Sequence, residues 1–315
     1  MANETTTTTL NDFVNGYVIS SALLGYAMEF IVAHPMFRYF SLVGQPSNVL
    51  QVPRLTADFS VNDNGASVDT EFDATEGTAL SNTALDAENV QFTVSEYGLV
   101  RTITDNVAED SVLGSQFMSL IVMDAAQTLG MAVEQAACSL FSSLSNSYGS
   151  TTVAATLANA IAMADGIRTR GYHAPDGLAY VFDNKAWSDL KTAALATSTS
   201  VLTYGETGQQ ILGMSRDPSN GLGADRRVGT LYGIPAFETG ITPTANAAAD
   251  VVSACFVPSS PGNDAHATFA YVEKRPFRIE VERDSKLRAD IVVFTRRCAV
   301  GEAADGSGSR LISAA

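Results

Sequence analysis

The sequence predicts an α+β protein in which one long helix organises several β-rich pieces, and three observations predict it. Between Glu109 and Leu144, apolar residues recur every three or four positions, at Met118, Val122, Ala125, Leu129, Val133, Ala136, Leu140 and Leu144. That is the period of a single buried helix face. Ahead of this run lies an acidic, strand-like excursion with no lysine or arginine between Arg54 and Arg101. Behind it, from Val153 to Leu195, the pattern reads helix, strand, helix, the signature of a separate α/β unit.

The long helix has Asp110 or Ser111 to cap its first amides and no proline to interrupt it, so it extends to roughly 50 Å. Asp124, Gln127, Thr128, Glu134 and Gln135 fall off the apolar stripe, and Gly114 and Gly130 soften the helix without breaking it. At the N-terminus, five consecutive threonines within Met1 to Thr9 predict a flexible tip that orders on a partner. Phe13, Tyr17, Leu24 and Met28 then predict an amphipathic helix ending before Pro35, followed by the aromatic cluster Phe37, Tyr39 and Phe40. This arm is too short to close a core and too apolar to stay in water, so it lies on its own or a neighbouring subunit.

The excursion opens with Val49, Leu50 and Val52 before Pro53 and returns through Val90, Phe92 and Val94. Its acidic residues are Asp58, Asp63, Asp69, Glu71, Asp73, Glu76, Asp86, Glu88 and Glu96, a composition suited to reaching a neighbour rather than filling a core. After the long helix, Leu157, Ile161 and Ala164 mark a second helix closed by Gly171. Leu178 to Asp183 is a strand, and Trp187, Leu190 and Ala194 face one side of a further helix. Gly205 to Arg227, with Arg216 and Arg226, is a glycine-rich loop, and Gly229 to Phe237 is strand-like with a bend at Gly233-Ile234-Pro235. Phe269 to Val272, Phe277 to Val281 and Ile291 to Thr295 make two or three strands, and a small polar tail follows Gly301.

Composition narrows the function. A formal charge of -15, from 34 acidic and 19 basic residues, opposes binding to nucleic-acid phosphates. Cys138, Cys255 and Cys298 are widely spaced and odd in number, so they read as buried free thiols rather than disulfides or a zinc site. No basic leader precedes an apolar run, which points to folding in a cytosol. The apolar run from Tyr17 to Ala33 contains Glu29 and is too short to span a bilayer, so no membrane is expected.

Catalytic signatures are missing: there is no phosphate loop, GxSxG or HExxH, and Arg226 stands where a third glycine would follow Gly221 and Gly223. His34, His173 and His266 are isolated in sequence and read as surface or turn residues. Asp69 and Glu71 share a strand face but lie in a solvated acidic run. Ser60, Asn62, Asn64, Gly65 and Glu71 match the spacing of a calcium-binding EF-hand loop, with serine where its first aspartate belongs. The flanks are strand and coil rather than helices, so Asn-Asp-Asn-Gly is read as a turn. No enzyme activity, cofactor or metal is expected.

The order of parts, from helical arm through β excursion, long helix and α/β unit back to strands, resembles the major capsid protein of tailed phages, with its Hong Kong 97-like fold. The matching pieces are Phe92-Thr-Val-Ser-Glu-Tyr-Gly-Leu-Val leading into Ile103-Thr-Asp, and Tyr180-Val-Phe-Asp-Asn-Lys-Ala-Trp-Ser-Asp-Leu190. Gly229-Thr-Leu-Tyr-Gly-Ile-Pro-Ala and Tyr271-Val-Glu-Lys-Arg-Pro-Phe-Arg-Ile-Glu-Val281 complete them. The resemblance implies an N-terminal arm over 1–46, an extended β-hairpin loop over 47–103, and a peripheral domain with a spine helix over 104–150 and 265–304. It also implies an axial domain over 151–264 and a C-terminal tail over 305–315.

The resemblance further implies a virion shell subunit assembled in the host cytoplasm. Its copies form hexamers and pentamers that enclose double-stranded DNA without sequence-specific contacts. A portal and a decoration protein are its implied partners. A separate scaffold is implied too, because the long helix begins about a hundred residues from Met1 and leaves no room for a fused one. The cargo-holding nanocompartments of bacteria, the encapsulins, share this fold and are the alternative; a soluble enzyme using scattered carboxylates is a remoter one. Some family members cross-link through a lysine on the extended loop, whereas Lys185, Lys191, Lys274 and Lys286 all follow the long helix here. The interface expected instead is electrostatic, with Glu71, Asp73 and Glu76 of one copy meeting Arg101, Arg275 and Arg278 of another. Pairing of these arginines within their own chain, with Glu280, Glu282 and Asp284, is the competing expectation.

Overall fold

A computed structural model describes residues 4–5, 31–55, 87–110, 116–170, 177–197, 227–260 and 266–315. In chain order these form β1 (Glu4–Thr5), β2 (Arg38–Ser41), β3 (Val49–Leu55), β4 (Ala87–Thr93), β5 (Ser95–Thr104), α1 (Asp105–Asp110) and α2 (Gln116–Ser139). There follow β6 (Ser147–Gly149), α3 (Leu157–Thr169), β7 (Ala179–Asp183), α4 (Asn184–Thr197), β8 (Arg227–Leu231), β9 (Ile234–Thr239) and β10 (Thr244–Ala245). The chain closes with β11 (Asp250–Phe256), β12 (Phe269–Asp284), β13 (Ala289–Glu302) and β14 (Gly308–Ala314). The arm helix expected after Leu10, the turn at Ser60 to Glu71, His173 and the loop from Gly205 to Arg226 lie outside the described residues.

Of the helix expected over Glu109 to Leu144, α2 is the part from Gln116 to Ser139, which tightens into a 3-10 turn at Leu140–Ser142, whereas Glu109 and Asp110 belong to α1. Helix α2 bridges two cores. Ala125 and Leu129 pack with Ile103, Val107, Val292 and Phe294 over one sheet. Val133, Ala137, Cys138, Phe141 and Leu144 pack with Val181, Val252, Phe256 and Phe269, where the other sheet begins. Phe37, Phe141 and Phe256 ring Phe269 at centroid distances of 4.8, 6.0 and 5.3 Å, within the favourable range for aromatic pairs. One expectation fails here: Glu134, read as lying off the stripe, is fully buried. The buried face is broad enough to include Glu134 and Cys138 beside Val133 and Ala137, because successive residues advance only about 100° around the axis.

The first sheet has five strands in the order β1-β5-β13-β12-β2. Of the two or three strands expected between Phe269 and Thr295 there are two: β12 runs unbroken through Pro276, with register shifts between Glu273 and Arg275 and between Arg275 and Arg278. Proline has no N–H to give the ladder, and an irregularity in pairing is where a strand tolerates it. Val49 to Leu55 pairs antiparallel with Ala87 to Thr93, the expected outgoing and return strands, setting Leu50 opposite Phe92 and Val52 opposite Val90. The hairpin ends at Thr93, and β5 joins the five-stranded sheet.

The second sheet has seven strands, with β6-β14-β11-β7-β9-β8 in line and β10 added on β11. Helix α3 begins at Thr156, whose side chain accepts from the Asn159 amide at 3.2 Å, and it buries Ala160, Met163, Ala164 and Ile167 against this sheet. Trp187 and Leu190 of α4 join them, with Tyr180, Phe182 and Trp187 stacked at 5.1 and 5.6 Å. Strand β11 had no counterpart in the sequence reading. All seven of its residues are buried, so it shows no alternation to read. The small polar segment near the C-terminus is also a strand: β14 lies between β6 and β11. Gly308 opens it because a Cβ there would stand 2.6 Å from a Leu144 methyl. The reversal between β8 and β9 is made by Tyr232 and Gly233, with φ of 53° and 81°, and Pro235 lies inside β9. The three cysteines are free and buried, as expected.

Candidate functional site

The polar groups of this molecule concentrate where the N-terminal segment, the root of the β3–β4 hairpin and the five-stranded sheet meet. Residues Val32 to Leu42 form a strap across α2. Val32, Ala33 and Phe37 enter the core between the sheets, and Arg38 to Ser41, as β2, pair parallel with Ala270 to Glu273. The strap opens with a 3-10 turn at His34–Met36 whose N-cap residue, Ala33, supplies no side-chain cap. Glu134 caps it from 100 residues away. Its Oε1 accepts from the Val32 and Ala33 amides at 2.7 and 2.5 Å, and its Oε2 accepts from the His34 amide at 3.1 Å and His34 Nδ1 at 2.9 Å. Burial pushes the Glu134 carboxyl up, but the His34 ring and the three amides outweigh it and hold it below the ordinary glutamate range. An ionised carboxylate only accepts, so a neutral His34 carries its proton on Nδ1.

The network continues along the sheet. The His34 ring lies 5.7 Å from that of Tyr271, and the Tyr271 hydroxyl is 2.6 Å from Arg296 Nη2, which also approaches Glu273 at 3.5 Å. Tyr39 donates to the other Glu273 oxygen at 2.9 Å. Burial pushes the Tyr271 hydroxyl and the Cys138 thiol well above their ordinary values, so neither is a nucleophile near neutrality.

On the opposite sheet face, the hairpin root is held by cations. Lys274 Nζ donates to the Ser47 carbonyl and to Asn48 Oδ1 at 2.6 Å each, Arg297 reaches Asn48 at 3.2 Å, and Arg275 donates to Glu96 at 2.6 Å. Beyond the root this face runs on through the rows Gly98–Thr295–Arg278, Val100–Val293–Glu280 and Thr102–Ile291–Glu282. The described residues leave it largely open, with Val100 54% exposed.

The predicted site residues fall into three groups. Arg275 and Arg278 share the open face, where Arg278 pairs with Glu280 at 2.8 Å. Arg101 stands beside Val292 on the helix-covered face and pairs with Asp124 at 3.0 Å. Glu71, Asp73 and Glu76 lie outside the described residues. Among the described residues, Arg278 alone of the three makes the competing pairing, with Glu280, whereas Arg275 and Arg101 pair within the chain with Glu96 and Asp124, which that expectation did not name. Sequence reasoning missed Glu134, His34 and Glu273, although Glu134 sits one helical turn from both Gly130 and Cys138, a spacing that marks the inner face. Among the described residues no group of three histidine, cysteine or acidic side chains is placed to hold a metal ion, and no helix is long and apolar enough to cross a membrane.

No protein-family model matches the sequence, and no curated protein matches it either. Solved structures do. The chain is similar to one from Mycobacterium phage Che8, with a TM-score of 0.64 and 13% identity over 94% of this chain and 96% of that one. It is similar to the mature capsid of bacteriophage PhiM1, with a TM-score of 0.62 and 13% identity over 94% and 91%. It is also similar to the holo-SrpI encapsulin complex from Synechococcus elongatus PCC 7942, with a TM-score of 0.58 and 6% identity over 93% and 91%. The chain thus has the α+β, Hong Kong 97-like fold of phage capsid structures.

Proposed function

We propose that this chain is the major capsid protein of a tailed virus, a non-enzymatic subunit whose copies assemble as hexamers and pentamers into an icosahedral head around double-stranded DNA. The observation that carries the reading is the fold likeness to phage capsid structures, which runs through more than nine tenths of the chain. The acidic balance suits it, since a shell of net charge -15 per subunit does not condense on the packaged genome. Assembly takes place in the host cytoplasm on a separate scaffold, and the head takes a portal and a decoration protein. The peripheral domain is built on α2 and the five-stranded sheet and the axial domain on the seven-stranded sheet, with the β3–β4 hairpin as the extended loop.

The neighbour contact follows from charge. Glu71, Asp73 and Glu76 of one copy approach Arg275 and Arg278 on the open face of the next, while Arg101 supports the spine from the covered side. Reversing Glu71 and Glu76 to lysine is expected to impair assembly more than subunit stability, and Arg278→Glu in the same chain to restore it in part. Normal assembly of the single reversals in low salt would remove the pairing. Electron microscopy of the purified chain, alone and with candidate scaffold, tests the function itself. Hollow icosahedral particles are expected, and a strictly monomeric chain at high concentration in both samples contradicts it. Shells holding a co-purifying protein rather than DNA would favour the encapsulin-like alternative.

A further inference from the structure

We propose that Glu134 is the lock of the strap: one buried carboxylate decides whether residues 32–42 are held on the body or released from it. Three observations carry this. First, four of the five donors to the carboxylate come from one segment, the fifth being the Cys138 thiol of the same helix at 3.9 Å. An ionised carboxyl group offers about four acceptor positions, and the amides of Val32, Ala33 and His34 with the His34 ring fill them. Three successive amides converging on one anion make the concave cradle that recognises negative charge. Those amides have no cap from their own segment, so the lock and the strap complete each other.

Second, the helix is shaped to receive the strap one turn away. Gly130 is buried on the same face, and a Cβ there would stand 3.1 Å from the Ile31 Cδ1 atom. The absent side chain is the room in which the segment crosses α2. Third, the strap covers what its departure would bare. Phe37 closes the aromatic cluster at 4.8 Å from Phe269, and β2 occupies the edge of β12 from Ala270 to Glu273. An unpaired edge beside an apolar pocket is a surface that seeks another strand.

The lock rests on groups within one chain, so it holds whether or not the shell reading does. Hydrogen exchange on the unassembled, full-length protein at neutral pH tests it, with Glu134→Gln, His34→Ala and His34→Asn compared with the parent. Glutamine keeps the size of the side chain but turns an NH2 group toward the His34 donors. Loss of charge-assisted hydrogen bonds of this strength corresponds to about ten- to a hundredfold faster opening. The expected result is that acceleration at residues 32–34 and in β2, with β7 and β11 unchanged. His34→Ala, which removes one of the strap's four donors, gives a smaller rise confined to the strap, and His34→Asn, which returns an N–H donor near the same position, recovers much of the protection. Equal acceleration in both sheets, or no change at 32–34, overturns the lock. Should Glu134→Gln not fold, the order of the two His34 variants decides: protection in His34→Asn no better than in His34→Ala overturns it as well.

Discussion

Strand β11 and strand β12 belong to one chain and meet at the same aromatic cluster, yet they treat solvent differently. All seven residues of β11 are buried, whereas β12 is buried only from Phe269 to Val272 and then projects a run in which Ile279 and Val281 are 40% and 61% exposed. Strands and helices of the same chain cover the seven-stranded sheet. In the distal part of the five-stranded sheet α2 covers one face only in part, leaving Ile279 and Val281 exposed beside Phe294 and Val292, and the other face is largely open. A strand that leaves apolar and charged residues uncovered in the isolated subunit has surface available for another copy. The difference separates a region that stabilises the subunit from a region available for joining subunits.

The sharpest test is Phe256→Ala, at the end of β11 against Phe37, Phe141 and Phe269. Truncating a buried phenylalanine of this kind costs about 3–5 kcal/mol, and a thermal or denaturant melt is expected to lose that much. A change near zero would break the assignment of this cluster as the shared core. Gly301→Ala comes next. Its Cβ would stand 2.6 Å from the Phe92 ring of β4, so the hairpin must shift, at about 1–3 kcal/mol for an overpacked site. Hydrogen exchange should rise in β3 and β4 and stay level in β7 and β11.

Acid distinguishes the two regions without mutation. Glu134 has a folded value below the ordinary 4.5, so its contribution is fully present above that value and is lost as pH falls through the lower folded one. Protection at residues 32–34, corrected for the intrinsic rate, is expected to be flat from neutral pH to about 5 and to fall below 4.5 before β11 opens. Loss between pH 7 and 6 would assign the control to another group. The smallest effect on the subunit belongs to Ile279→Ser with Val281→Ser. Substitutions this exposed stay within about 0.5 kcal/mol of the parent, while particle yield by electron microscopy is expected to drop. Unchanged yield would show that the distal end of β12 is not a contact surface.

Much of the fold was legible before any coordinates, and the reason is periodic burial. Helices α2, α3 and α4 each bury one face and expose the other, so the 3.6-residue period appears in the residues themselves; Leu50 and Phe92 announced the β3–β4 hairpin in the same way through a period of two. Strand β11 and strand β14 left no such trace. β11 is covered on both faces, and β14 is built largely of small residues whose place depends on Leu144 and Thr268 packing over Gly308. The charged site divided along the same line. That Arg278 lies in a strand and has Glu280 within reach could be read from sequence, but Arg275 fell between the expected strand stretches, and its partner Glu96 could not be chosen from composition, since nearby acids abound. Glu134 is the clearest case of what only the tertiary structure decided. A glutamate in a helix is by default a solvated residue, because burying its charge unpaired is prohibitive. It becomes a core residue only when three amides and an imidazole from a segment 100 residues away arrive to accept that burial, and no local pattern in the sequence records their arrival.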